Sequence, residues 1–243
     1  MDADDLMPKS KLEKLLEVLI EKGVGHVATG KVRYFDTLGE GFKKYEEWLN
    51  KLIDEDSHRA HLYKECVIAS PNWMLYREDF ESIGAFESEV YPEDYELVFR
   101  MFEGGLKVAA VDEVTHLWRD HELRASRVSP LYAANTFLPL KLGWFLKLNR
   151  DQRKSLVLLG AGKKGKAIAK ELQNLGMKFS WQTNNPKKIG HVIYDVEVQD
   201  QSLPEKVDSQ VLVGVSSPGE VLELEGELKA KEYVLGKDYF VVV

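Results

Sequence analysis

Asp2-Ala3-Asp4-Asp5 sets carboxylates two residues apart directly before a run with helical periodicity. At the end of a strand such a pair can hold a divalent cation that bridges phosphate oxygens. Ahead of a helix, the same acids equally suit the positive end of the helix dipole. Glu93-Asp94 poses the same choice, because two acids opening a helix need no catalytic reason to be there. Arg119, within Trp118-Arg119-Asp120-His121, can pair with a phosphate or with a neighbouring acid. Further on, Gly160-Ala161-Gly162-Lys163-Lys164-Gly165 follows an apolar run and opens a helical one, the context that the dinucleotide fingerprint requires. The acid expected about 20 residues later to hold a ribose is replaced by Thr183 and Asn184. Ala167 stands where a phosphate-binding G-x-x-x-x-G-K loop needs Ser or Thr. The run therefore predicts close approach of a diphosphate to a helix N-terminus, but not NAD as a tightly held cofactor.

These residues need elements to position them. Leu12, Leu15, Leu16, Leu19 and Ile20 recur at helical spacing between Pro8 and Gly23. Val24 to Phe35 reads as a strand, and Phe42, Tyr45, Leu49, Leu52 and Ile53 mark a second helix. A short strand is expected at Cys66 to Ala69, a helical turn at Arg77 to Ile83, a helix at Glu93 to Glu103 and a strand at Lys107 to Val111. After an apolar connector, strands at 155–159, 177–181, 210–215 and 239–243 alternate with helices at 163–175 and 219–231. This alternation is the α/β pattern.

The chain of 243 residues carries 33 basic and 40 acidic side chains, a formal charge of −7. Residues 1–150 hold 20 basic and 27 acidic groups, whereas residues 151–243 are balanced, which suggests two units. With no clustered basic stripe, nucleic acid is not expected as a partner. A lone cysteine, Cys66, excludes an intramolecular disulfide framework and a Cys-rich zinc site, and is expected in the core of a cytoplasmic protein. The acidic start lacks a signal-peptide pattern, and the apolar stretch from Leu131 to Leu148 is broken by Asn135, Pro139, Lys141 and Lys147. That stretch reads as a buried or interfacial connector.

Four separated segments, in order, carry a resemblance: Asn72 to Phe80; Ile83-Gly84-Ala85-Phe86-Glu87; Tyr91-Pro92-Glu93-Asp94-Tyr95-Glu96-Leu97-Val98-Phe99-Arg100; and Trp118-Arg119-Asp120-His121 with Ser126. Together with the D-x-D pair they resemble the second half of family 2 glycosyltransferases of the GT-A fold, over about residues 1–130. The resemblance implies Asp4 as ligand of Mn²⁺ or Mg²⁺, Asp2 near the sugar or ribose, and Asp94 as the base that takes the acceptor's proton. It implies His121 as a second contributor to the metal or diphosphate site. Glu93, Arg119 and Trp73 are assigned to substrate. In such proteins the D-x-D pair follows about 90 residues of βαβ structure, two to three units, that bind the nucleotide. Here it begins at residue 2, so this chain is expected to bind nucleotide-diphosphate sugars weakly.

The later part resembles small Rossmann-like domains fused to sugar-modifying enzymes, on Gly160 to Gly165, Thr183-Asn184-Asn185-Pro186-Lys187-Lys188-Ile189-Gly190 and Gly236-Lys237-Asp238-Tyr239. Gly160, Gly162 and Gly165 are the candidate cofactor-binding positions. The expected architecture is α/β: a partial GT-A domain (1–130), a helical connector (131–153) and a Rossmann-like domain (154–243). The expected function is inverting transfer of a sugar from a nucleotide-diphosphate sugar to a glycan or lipid-linked acceptor, with possible peripheral membrane association at the inner face. The rival is a non-catalytic nucleotide-sensing or scaffold protein.

Overall fold

The computed structural model describes residues 2–36, 39–86, 91–128, 137–203 and 205–242. Glu87, which ends the Ile83-Gly84-Ala85-Phe86-Glu87 segment, and residues 131–136 of the apolar connector lie outside the described residues. The fold is α/β, in two units: Met1–Arg59 with Cys66–Asn135, and Ala60–Glu65 with Thr136–Val243.

In the first unit, α1 (Lys11–Lys22) leads through Gly23 into β1 (His26–Asp36), followed by α2 (Glu40–Asp54), β2 (Trp73–Leu75), α3 (Arg77–Ser82), α4 (Glu93–Glu103), β3 (Lys107–Asp120) and α5 (Ala125–Val128). The sheet order is β2-β1-β3, with β1 antiparallel to β2 and parallel to β3. A bulge interrupts the β1–β3 ladder at Gly30/Lys31, where β3 partners step from Val111 to Val114 to His116. Gly30 permits this close approach, since a Cβ there would fall 2.4 Å from Thr115 Oγ1. The bulge re-aims the strand, and beyond it Thr115, His116 and Trp118 are buried.

One helix stands where its period predicts, and one expected strand is absent. The periodicity of α1 is present, and Leu15 and Leu19 are buried against Ala28, but Leu12, Leu16 and Ile20 are 55%, 46% and 63% exposed. The apolar arc is wider than the face the sheet covers, and Lys11, not Leu12, takes the buried position. Cys66–Ala69 is buried but is not a strand. Its polar groups bond elsewhere: Tyr45 donates to the Cys66 carbonyl at 3.0 Å, and the Ala69 carbonyl accepts the Asn72 N–H at 2.9 Å. Burial and β-type composition mimic a strand, yet no ladder partner is supplied.

The second unit holds α6 (Leu138–Leu148), β4 (Ser155–Leu159), α7 (Lys163–Asn174), β5 (Ser180–Thr183), β6 (Val192–Ile193), β7 (Val196–Asp200), β8 (Ser209–Val213), α8 (Pro218–Ala230) and β9 (Tyr239–Val241). The sheet runs β6-β7-β5-β4-β8-β9, parallel except for the β6–β7 hairpin. The chain leaves β4 towards β5 on one side and later returns to β8 on the other, the Rossmann-like switch of direction that opens a crevice beyond the strand ends. Its core joins Val157, Leu159, Val211 and Val213 to Leu224 and Leu228 of α8. The apolar helix expected as a connector packs inside this unit: Phe145 is fully buried, its ring 5.1 Å from Phe240 and 5.8 Å from Tyr63. Tyr63 also donates to Asn149 Oδ1 at 2.5 Å, and the buried Lys141 donates to the Lys64 carbonyl at 2.9 Å. Among the described residues no helix is long and apolar enough to cross a membrane.

Candidate functional site

Two of the residues expected to share a metal meet in space. Asp4 Oδ2 lies 2.9 Å from His121 Nε2, although 117 positions separate them, and both side chains are partly open to solvent, at 45% and 34%. The segment before α1 is drawn to the C-terminal end of β3 by a reciprocal backbone pair, Leu6 with Leu117. Oxygen and imidazole ligands suit Mn²⁺, and two protein ligands leave positions for phosphate oxygens and water. Among the described residues no group of three or more His, Cys, Asp or Glu side chains could hold a metal by itself, so a cation here would share its coordination with a ligand.

The residue beside Asp4 carries the buried chemistry. Asp5 Oδ2 is 2.9 Å from His116 Nε2, His116 Nδ1 is 3.1 Å from Lys11 Nζ, and Lys11 Nζ donates to the Pro71 carbonyl at 2.8 Å. The other Asp5 oxygen accepts the backbone N–H of Arg119 at 2.9 Å. Asp5, Lys11 and His116 are all buried. Burial, assisted by the Lys11 charge, holds the His116 imidazolium below its usual range against the pull of Asp5. Burial likewise pulls the Lys11 ammonium down to about 8 despite Asp5. Spacing alone could not show this chain of contacts, because it joins residues up to 111 positions apart.

Around it, the Trp118–His121 segment is fixed by charges and rings. Trp118 stacks on Tyr34 at 5.1 Å, and the Arg124 guanidinium sits 4.4 Å from the Trp118 ring, 4.8 Å from Phe42 and 5.1 Å from Tyr34. Burial pushes the Tyr34 hydroxyl up to about 12. Asp120 is fully buried and takes a two-pronged bond from Arg127, at 3.0 and 2.6 Å, and the Gly39 N–H at 3.1 Å. Burial alone would raise its carboxyl, but these donors hold it below the usual range. The Arg119 guanidinium lies 5.1 Å over Phe35, with its Nε buried and without an acceptor.

The other expected residues lie elsewhere in the first unit. Asp2 is exposed, beside Asp4 in the chain, and its carbonyl accepts the Asp5 N–H at 3.3 Å. Glu93 and Asp94 occupy the first turn of α4, where Asp94 Oδ1 accepts the Tyr95 N–H at 2.8 Å. Glu96 and Arg100 of the same motif form a buried pair, with Arg100 Nε 2.9 and 2.7 Å from the two carboxylate oxygens. Arg100 Nη1 also donates to the Ile83 carbonyl at 2.7 Å, so this part of the motif ties the Gly84 turn to α4. Trp73 packs near Phe80 and Phe86, at 6.1 and 6.4 Å. It pairs with Thr29 in the sheet, whereas Asp120 pairs with Asp36, about 23 Å further along β1 at ~3.3 Å per residue.

In the second unit the glycine run ends β4 and opens α7. Gly160 has φ +100, Gly162 is the N-cap of α7, and Gly165 packs so tightly that a Cβ would fall 1.9 Å from the Gly160 carbonyl oxygen. Gly214, after β8, meets the same cluster, with its added Cβ 3.0 Å from the Gly165 Cα. Trp181 Nε1 donates to the Gly160 carbonyl at 2.8 Å. Gly162 alone of the three faces open space, so it is where a diphosphate could approach. Lys164 follows it, its ammonium lowered by burial against the pull of Glu65. Thr183 is buried at the end of β5, and its hydroxyl accepts the Asn185 N–H at 3.3 Å. Asp238 of the late motif accepts the Val234 N–H at 3.1 Å and lies 3.4 Å from Lys154.

Residues 1–84 match the family model described as Glycosyl transferase family 2. That match supports kinship of this stretch with the family and, at that coarse level, glycosyl transfer. No curated protein matches the chain. Among solved structures, the chain aligns with RSP, a Rex-family repressor, at 16% identity and a TM-score of 0.31, covering 86% of this chain and 88% of that one.

Proposed function

We propose that the first unit serves transfer of a sugar from a nucleotide-diphosphate donor to a glycan or lipid-linked acceptor, with Asp4 and His121 at the diphosphate end. The observation that supports this most is the 2.9 Å meeting of Asp4 with His121 at the C-terminal end of β3, on a chain whose residues 1–84 match the transferase family. A divalent cation bound there would neutralise charge developing on the leaving diphosphate. Asp4 and His121 would hold it, Arg119 would add positive charge, and Asp2 would face the sugar or ribose.

In an inverting displacement the acceptor oxygen bonds to the anomeric carbon as the bond to the diphosphate breaks, and the bonding pair leaves with the diphosphate. The acceptor's proton passes to a carboxylate, for which Asp94 is the candidate, with Glu93 contacting acceptor. In the second unit Gly162 and the N-terminus of α7 form a diphosphate-type cradle, and the neutral Thr183 weighs against NAD. A peripheral place at a membrane would follow from a lipid-linked acceptor.

The test is titration of the whole chain with Mn²⁺ and with UDP- and GDP-sugars, joined to a transfer assay on candidate acceptors. Mn²⁺ binding lost in Asp4→Asn, with transfer lost in Asp94→Asn while metal binding persists, would support the reading. Removal of a general base typically costs about 10² to 10⁴ in rate. A chain that binds no divalent metal would instead favour a scaffold.

A further inference from the structure

The contacts of Lys11 determine which nitrogen of His116 carries its hydrogen. An ammonium has only hydrogens to offer, so with Lys11 Nζ at 3.1 Å the His116 Nδ1 must present its lone pair. The ring hydrogen is then on Nε2, pointing at Asp5 Oδ2 2.9 Å away. The imidazole is neutral and links a buried cation to a buried anion, each of which would be costly alone. Asp5 spends both oxygens on β3: one on the His116 ring and one on the Arg119 backbone N–H. Asp4 is its chain neighbour, within 3.8 Å between Cα atoms, and His121 lies two residues past Arg119. One buried carboxylate thus holds the backbone on both sides of the Asp4–His121 contact.

We propose that Asp5, His116 and Lys11 are positioning residues for the Asp4–His121 site, with the neutral imidazole passing the hold from the Lys11 ammonium to the Asp5 carboxylate. The proposal rests on the reading of Asp4 and His121 as ligands of a divalent cation. None of the three is assigned as a ligand of that cation. They place its ligands, as outer partners do in metal sites, where their loss typically weakens affinity about 10- to 100-fold.

The experiment compares Lys11→Met, His116→Leu and His116→Gln in the full chain, with Asp4→Asn as reference. A glutamine amide can accept from Lys11 through Oε1 and donate to Asp5 through Nε2, so it rebuilds the bridge without an imidazole; leucine and methionine cannot. Mn²⁺ binding is read by electron paramagnetic resonance and the His121 ring by ¹⁵N NMR without metal. The expected result is a Mn²⁺ affinity lowered about tenfold or more in Lys11→Met and His116→Leu, with the His121 resonances moving towards their Asp4→Asn positions. His116→Gln should stay close to wild type in both. If wild-type chain binds no Mn²⁺, the metal reading fails and the His121 resonances alone decide the positioning. Wild-type resonances in the two bridge-breaking variants would overturn the proposal, as would a glutamine variant indistinguishable from leucine. Loss of all β1–β3 amide signals in Lys11→Met would also overturn it, since the contacts would then be holding the sheet and not the segment.

Discussion

The first unit holds its chemistry-bearing residues with buried charge, and the second holds its glycine loop with backbone packed on backbone. In the first, Asp5, His116, Lys11, Asp120, Glu96 and Arg100 are all buried, each in hydrogen bonds to charged or backbone partners. In the second, the Gly160–Gly165–Gly214 contacts leave no room for a Cβ, and the surrounding core is apolar. A buried ion pair is unforgiving to loss of one partner, because the other is stranded away from water. A backbone contact is unforgiving to any added atom, because carbonyls cannot rotate away. The charged clusters of the first unit and the glycine loop of the second should therefore fail under opposite kinds of substitution.

The largest effect is expected from breaking charge. Arg100→Met would leave Glu96 buried and unpaired, with side-chain exposures of 10% and 7% in the intact pair, and should cost about 3–5 kcal/mol. Urea unfolding followed by hydrogen exchange of β1 and β3 amides would measure it; an unchanged midpoint would remove the contrast from the first unit. Next comes the added atom: Gly165→Ala should destabilise the second unit by about 3 kcal/mol, since its Cβ falls 1.9 Å from a carbonyl oxygen. The same unfolding curve read at β4 and β8 amides reports it, and tolerance of alanine would mean that α7 can slide.

A smaller, pH-dependent effect is expected at the buried bridge of the first unit. Burial depresses His116 below its ordinary 6.5, so below that pH the unfolded chain takes up a proton that the folded ring resists, and stability falls as pH falls. Burial also depresses Lys11 from 10.5 to about 8, so between these values the unfolded chain holds the extra proton and stability rises with pH. Each group contributes at most about 1.4 kcal/mol per pH unit. Melting of the first unit should thus rise with pH in both windows; Lys11→Met should remove the alkaline one and, by taking away a charge that helps depress His116, weaken the acid one. The smallest effect is expected at Gly162→Ala, below about 1 kcal/mol, because nothing lies within 4 Å of the added Cβ. Calorimetry with diphosphate would show whether that position, harmless to the fold, matters to a ligand.

Most elements were legible because their period was regular. The strand at 155–159, the helix after Gly162 and the helix from Glu93 to Gly104 stand where their apolar spacing and glycines predict. Three things were not legible. The short β2 lies inside a motif with no alternating pattern, and its three residues are strand only because β1 is beside them. Cys66–Ala69 carries a strand's composition without a strand's neighbour. His116 showed no ligand spacing, since its partners Asp5 and Lys11 precede it by over a hundred residues.

By itself the sequence determined the α/β alternation, the glycine run opening a helix and the order of the motifs, all properties of local period and backbone freedom. Only the tertiary structure decided which acids do what. Asp4 and Asp5 are neighbours of one residue type, yet Asp4 meets His121 at a partly open surface, while Asp5 is buried in a bridge to Lys11 through His116. The physical reason is that a carboxylate's role is set by its distance from water and from partner charges, and those distances exist only once β3 has folded back beside the segment that precedes α1.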